Sequence, residues 1–124
     1  MSLYVFYIGK DEKEIQLRIN AARAIELEKK LGGDAIASVI PNLSKLSVAS
    51  DVIAMAISEG SFEERKNKAL KIFDDMVSQG KNLIDYQLLV MDVLVEAGFM
   101  KGEYVKSVRE AQAETQNIAT EVLA

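Results

Sequence analysis

The sequence contains no cysteine and no histidine. The first absence removes disulfides, thiolate nucleophiles and Cys-ligated zinc or iron–sulfur sites. The second removes the commonest general base of enzyme active sites. Most hydrolytic mechanisms therefore lack a necessary part, and the expectation is a protein that is not an enzyme and carries no cofactor. Basic charge is not segregated either: Lys66, Lys68 and Lys71 alternate with Glu63, Glu64, Asp74 and Asp75, and the formal net charge is -4. A field of that sign speaks against nucleic acid and anionic membranes as partners. No apolar run reaches the roughly 18 residues of a membrane span. The opening MSLYVFYIGK has neither a charged leader nor a small-residue cleavage site, so a soluble, intracellular protein is expected.

There is a single proline, Pro41, and no repeat, low-complexity tract or linker. The 124 residues, 49% of them hydrophobic, are read as one domain with a core of ordinary size. Within it, residues 1–20 predict a β-hairpin: LYVFYI and EIQLRI flank the polar GKDEK, and Ile15, Leu17 and Ile19 alternate with Glu14, Gln16 and Arg18. Residues 21–102 predict a helical core. Asn20 can cap a helix with the inward stripe Ala24, Leu27 and Leu31, whose last turn places Lys29 and Lys30 at the negative end of the helix dipole. Gly32 or Gly33 takes the left-handed stop. The stretch GDAIASVIPNLSKL is ambiguous, with an apolar run fit for a helical turn packed under the domain.

Val48, Val52, Met55 and Ala56 mark a second helix that Gly60 is expected to close. Ser61 with Glu64 three positions on is a capping box opening a third, from about Phe62 to Gln79. LIDYQLLVMDVLVEAG is apolar on almost every side, with Ile84, Leu88, Met91 and Val95 on one stripe and Leu89, Val90, Val93 and Leu94 filling the others, so this fourth helix is expected at the centre of the core. Residues 103–124 predict a more polar helix. The expected fold class is thus α+β, an N-terminal β-hairpin followed by a small bundle of four to five helices.

Candidate chemistry is sparse. Asp92 with Glu96, and Glu110 with Glu114, lie one turn apart, but hard-cation sites need ligands converging from more than one element, and a solvated helix surface is the better reading. The LGGD glycines match neither the P-loop nor the dinucleotide fingerprint. Tyr4, Phe6 and Tyr7 are an aromatic strand without neighbouring basic residues, which favours packing over base stacking. Asp51, Ser50, Arg23 and Arg109 have no partner that the sequence can place.

One surface stands out. Tyr104, Val108, Ala111, Thr115, Ile118 and Val122 follow a 4-3-4-3-4 spacing that suits helix-on-helix packing. These residues are the candidate partner-binding site. The spacing leaves open whether the helix folds onto its own domain, docks a partner, or pairs with a second copy of the chain.

The order of strand, turn, EIQLRIN, AARAIELEKKLGGD, apolar loop and helices resembles the tail assembly chaperones of long-tailed phages and prophages of Gram-positive bacteria. The residues that carry the resemblance are Ile15, Leu17, Ile19, Asn20, Leu27, Glu28, Lys29, Leu31, Gly32 and Gly33, roughly the first quarter of the chain. It implies a non-enzymatic chaperone that coats the tape measure protein, keeps it soluble and brings major tail protein subunits to it. Its place would be the cytoplasm of the bacterial host and not the mature virion. The family also makes a longer, frameshifted form; the size of this chain suits the short one. The rival readings are a small acidic helical adaptor or antitoxin-like interaction protein and, more remotely, a carboxylate-metal enzyme.

Overall fold

The computed structural model describes residues 4–8, 13–32, 41–43 and 45–111. Helices dominate it. Strands β1 (Tyr4–Ile8) and β2 (Lys13–Leu17) pair antiparallel, with Tyr4 opposite Leu17 and Phe6 opposite Ile15. Four helices follow: α1 (Ala21–Lys30), α2 (Leu46–Ala56), α3 (Phe62–Ser78) and α4 (Leu83–Glu96), and residues 102–111 form a further helical segment, α5. The helical bundle agrees with the sequence reading. The β content is confined to this narrow ribbon, so the bundle sets the architecture.

Local signals explain most boundaries. The Asn20 side chain accepts from the Arg23 amide at 2.9 Å, and α1 ends where Gly32 takes φ +76°. At α3 the capping box is complete: the Glu64 amide donates to Ser61 Oγ at 3.2 Å, and the Ser61 amide donates to Glu64 Oε1 at 3.4 Å. A second box, not anticipated, opens α4, where Asn82 and Asp85 exchange the same bonds at 3.1 and 2.9 Å. Both α3 and α4 end in the six-to-one bond of a Schellman turn, Lys81 N–H to the Met76 carbonyl and Phe99 N–H to the Leu94 carbonyl.

One expectation is corrected, and another is widened. Gly60 does not close α2; the helix stops at Ala56, and Ile57 continues in extended backbone. The central position belongs to α2 as much as to α4. Helix α2 packs against α1, α3 and α4, and it buries Ala49, Ser50 and every residue from Val52 to Ala56. Ser50 Oγ is satisfied by the Ser47 carbonyl at 3.1 Å, so its burial leaves no unpaired donor. In α4 the predicted stripe is only partly inward: Leu88 and Met91 are buried, whereas Ile84 is 45% exposed.

The remaining core is filled from every element. Leu17 and Ile19 follow the predicted alternation to full burial, Ala24 and Leu27 face in from α1, and Leu43 is buried beside the Pro41 turn. Residues 33–40, which include most of the ambiguous loop, lie outside the described residues. Tyr86 is fully buried; its hydroxyl donates to the Ala69 carbonyl at 2.9 Å and its ring meets Phe73 edge-on at 5.3 Å. Burial pushes the Tyr86 phenol up from its ordinary value.

Leu94, fully buried, should cost roughly 2–5 kcal/mol on replacement by Ala, whereas Ile25→Ala on the open side of α1 should stay within about 0.5 kcal/mol; urea melts of the two variants check this order. Because the folded state holds the Tyr86 proton more tightly than the unfolded chain does, its contribution is complete below the ordinary tyrosine value and lost as pH rises above about 10. Alkaline titration of stability should therefore be less steep in Tyr86→Phe than in the unmodified protein.

Candidate functional site

The end of α2 presents a run of carbonyls that no glycine turn satisfies, and arginines supply the donors. Arg65, on α3 and only 3% exposed, reaches the Ala54 carbonyl with Nη1 at 2.9 Å and the Gly60 carbonyl with Nε at 3.2 Å. Arg23, on α1, donates to the Ser58 carbonyl at 3.2 Å, and the Arg18 backbone amide donates to the Ala56 carbonyl at 2.9 Å. Alternate carbonyls from Ala54 to Gly60 are thus held by three different elements. Glu26 is shared between Arg23 at 3.4 Å and Arg65 at 3.8 Å. Desolvation and the neighbouring Arg23 pull the Arg65 guanidinium below its usual range, and Glu26 acts in the opposite sense. The sequence marked Arg23 as unplaced and passed over Arg65 altogether.

Beside this knot lies an open groove of about 390 Å³ lined by Glu26, Lys29, Lys30, Met55 and Phe62. The Lys30 ammonium sits over the Phe62 ring, 4.0 Å from its centroid. Glu26 is already engaged by the two arginines.

The C-terminal stripe divides. Val105, outside the predicted stripe, is 2% exposed, and Val108 packs against the core, while Tyr104 is 48% exposed and Ala111 also lies on the open side. A four-three register starting at Tyr104 and a three-four register starting at Val105 share Val108, so spacing alone cannot choose between them; burial does. Arg109 pairs with Asp92, which ties α5 back onto α4. Through residue 111, then, the inward side of this helix packs against its own domain. Thr115, Ile118 and Val122 lie outside the described residues.

Other unplaced residues have acquired partners. Asp51 binds Lys66 at 2.6 Å, and Lys66 also donates to the Ser47 carbonyl at 2.8 Å, which steadies the start of α2, a helix with no side-chain cap. Among the described residues no group of three or more carboxylates converges as a cation site, and no helix is long and apolar enough to cross a membrane. Comparison of the chain with protein-family models, with curated proteins and with solved structures returns no match.

Arg65→Met should destabilise by about 1.5–3 kcal/mol, since it strips charged donors from the buried Ala54 carbonyl and from the Gly60 carbonyl. Glu26→Gln, on a half-exposed carboxylate, should lose at most about 1 kcal/mol; equal losses in denaturant melts would move the weight from the carbonyls to the ion pairs. On α5, Tyr104→Asp should leave the melting temperature unchanged and Val108→Asp should lower it, because only the latter forces a carboxylate against the core.

Proposed function

We propose that this protein is a tail assembly chaperone: a non-catalytic partner that binds the helical tape measure protein of a long-tailed phage or prophage, keeps it soluble and helps deliver major tail protein subunits to it. The observation that carries the reading is the phrase from Ile15 to Gly32. Its strand, its Asn20 cap, its helix and its left-handed stop follow one another without interruption, in the order on which the resemblance rests. The reading takes the ribbon and the bundle as one α+β unit acting in the host cytoplasm.

The physical task suits the molecule. A tape measure protein exposes long apolar helical stripes until the tube encloses it, and a small acidic partner can cover them while like charge keeps the complexes apart. Ile25, Val77, Ile84, Phe99 and Tyr104 are large apolar residues left exposed on the described surface. Tyr104 and Ala111 are the exposed described residues of the candidate docking stripe, which would continue through Thr115, Ile118 and Val122; Val108 contributes by packing the helix against the core.

Co-expression with a tape measure fragment should raise the soluble yield of that fragment, and the two should co-purify. Tyr104→Asp with Ala111→Asp should leave the domain folded and reduce recovery of the complex. A fragment that stays insoluble and unbound beside the unmodified protein would reject the chaperone reading.

A further inference from the structure

The groove between α1 and the start of α3 combines features that a passive surface dimple does not need. Its floor is apolar, made by Met55 and Phe62, and its volume of about 390 Å³ falls within the roughly 300–1,000 Å³ of concave ligand sites. Its rim is cationic in a molecule of net charge -4. Lys29 and Lys30 stand at its mouth, Arg23 and Arg65 lie behind, and Glu26, the carboxylate that lines it, is already shared by those two arginines. Lys29 and Lys30 form no ion pair among the described residues; Lys30 rests on the face of Phe62 instead.

We infer that this groove docks an acidic amphipathic helix of a partner protein, whose apolar side chain takes the place of the Lys30 ammonium on Phe62 and whose carboxylates pair with Lys29 and Lys30. Charge complementarity selects the occupant. A basic or neutral helix gains nothing from the two lysines. The exchange is favourable locally: Lys30 leaves a weak contact with a ring for a charge-assisted bond to a carboxylate, and the ring gains apolar cover. The arginine knot keeps the site in shape, because Arg65 fixes the start of α3 to the end of α2, and Phe62 and Met55 stand on those two elements. The identity of the partner rests on the proposed function, in which it is the tape measure protein; the groove adds a contact separate from the C-terminal stripe.

The test uses the full chain co-expressed with a tape measure fragment. In Lys29→Glu with Lys30→Glu, recovery of the fragment should drop about tenfold or more, while the domain stays folded with a melting temperature only slightly lowered, since both side chains are exposed and lose no more than their helix-dipole and ring contacts. Lys68→Glu with Lys81→Glu changes the net charge equally at sites away from the groove and should recover the fragment normally. Recovery by the unmodified protein should also fall as salt is raised from roughly 0.05 to 0.5 M. Undiminished recovery by the Lys29, Lys30 variant overturns the groove while leaving the chaperone reading in place, as does an equal loss in both charge variants. Failure of the unmodified protein to bind the fragment overturns the chaperone reading, and this inference with it.

Discussion

A helix that ends inside a protein leaves carbonyls that must find donors, and the structure is organised around how α2 meets that demand. Its C-terminal turn and the extended link after it turn carbonyls toward α1, α3 and the end of the ribbon, and each answers with a donor: Arg23, Arg65 and the amide of Arg18. Arg65 alone joins α2, the Gly60 turn and, through Glu26, α1. Burying a guanidinium is costly unless its donors are used. Here one donor serves the buried Ala54 carbonyl and another the Gly60 carbonyl, so the guanidinium and the helix end satisfy each other. The relative placement of α1, α2 and α3 follows from that bond set.

The same bond set explains what sequence reading could and could not find. Asn20, Ser61 and Gly32 act within a few residues of themselves, so their roles are written in local spacing and emerge as expected. The Asn82 and Asp85 box is equally local and was open to the same reasoning. The alternation of Ile15, Leu17 and Ile19 predicted the buried side of β2 for the same reason. Arg65 hydrogen-bonds a carbonyl 11 positions away and pairs with Glu26 on another helix, and its position on an otherwise charged stretch of α3 gives no hint that it points inward. The misplaced end of α2 has the same origin: a glycine four residues past the last helical residue looks like a stop until the donors from other elements are known.

The candidate sites show the limit in a second way. Heptad-like spacing announces that α5 wants a helical neighbour, but a four-three register from Tyr104 and a three-four register from Val105 share Val108, and only the burial of Val105 decides which is inward. The groove was not legible at all. Lys29 and Lys30 explain themselves as dipole partners at the end of α1, and nothing local connects them with Phe62, which arrives from α3 more than thirty residues later.

The burial of α2 also bears on what happens when the fold is lost. Residues 52–57, VIAMAI, form a six-residue window without charge, proline or glycine and with β-branched residues at three of its positions. Released from the bundle, such a window has the composition of a strand that pairs with its own copies. Asp51 and Glu59 flank it as gatekeepers, and the Arg65 bond to the Ala54 carbonyl ties down its middle. Exposure of this window is therefore coupled to the hold on α2: the residue that helps shape the bundle also keeps its most adhesive segment out of reach.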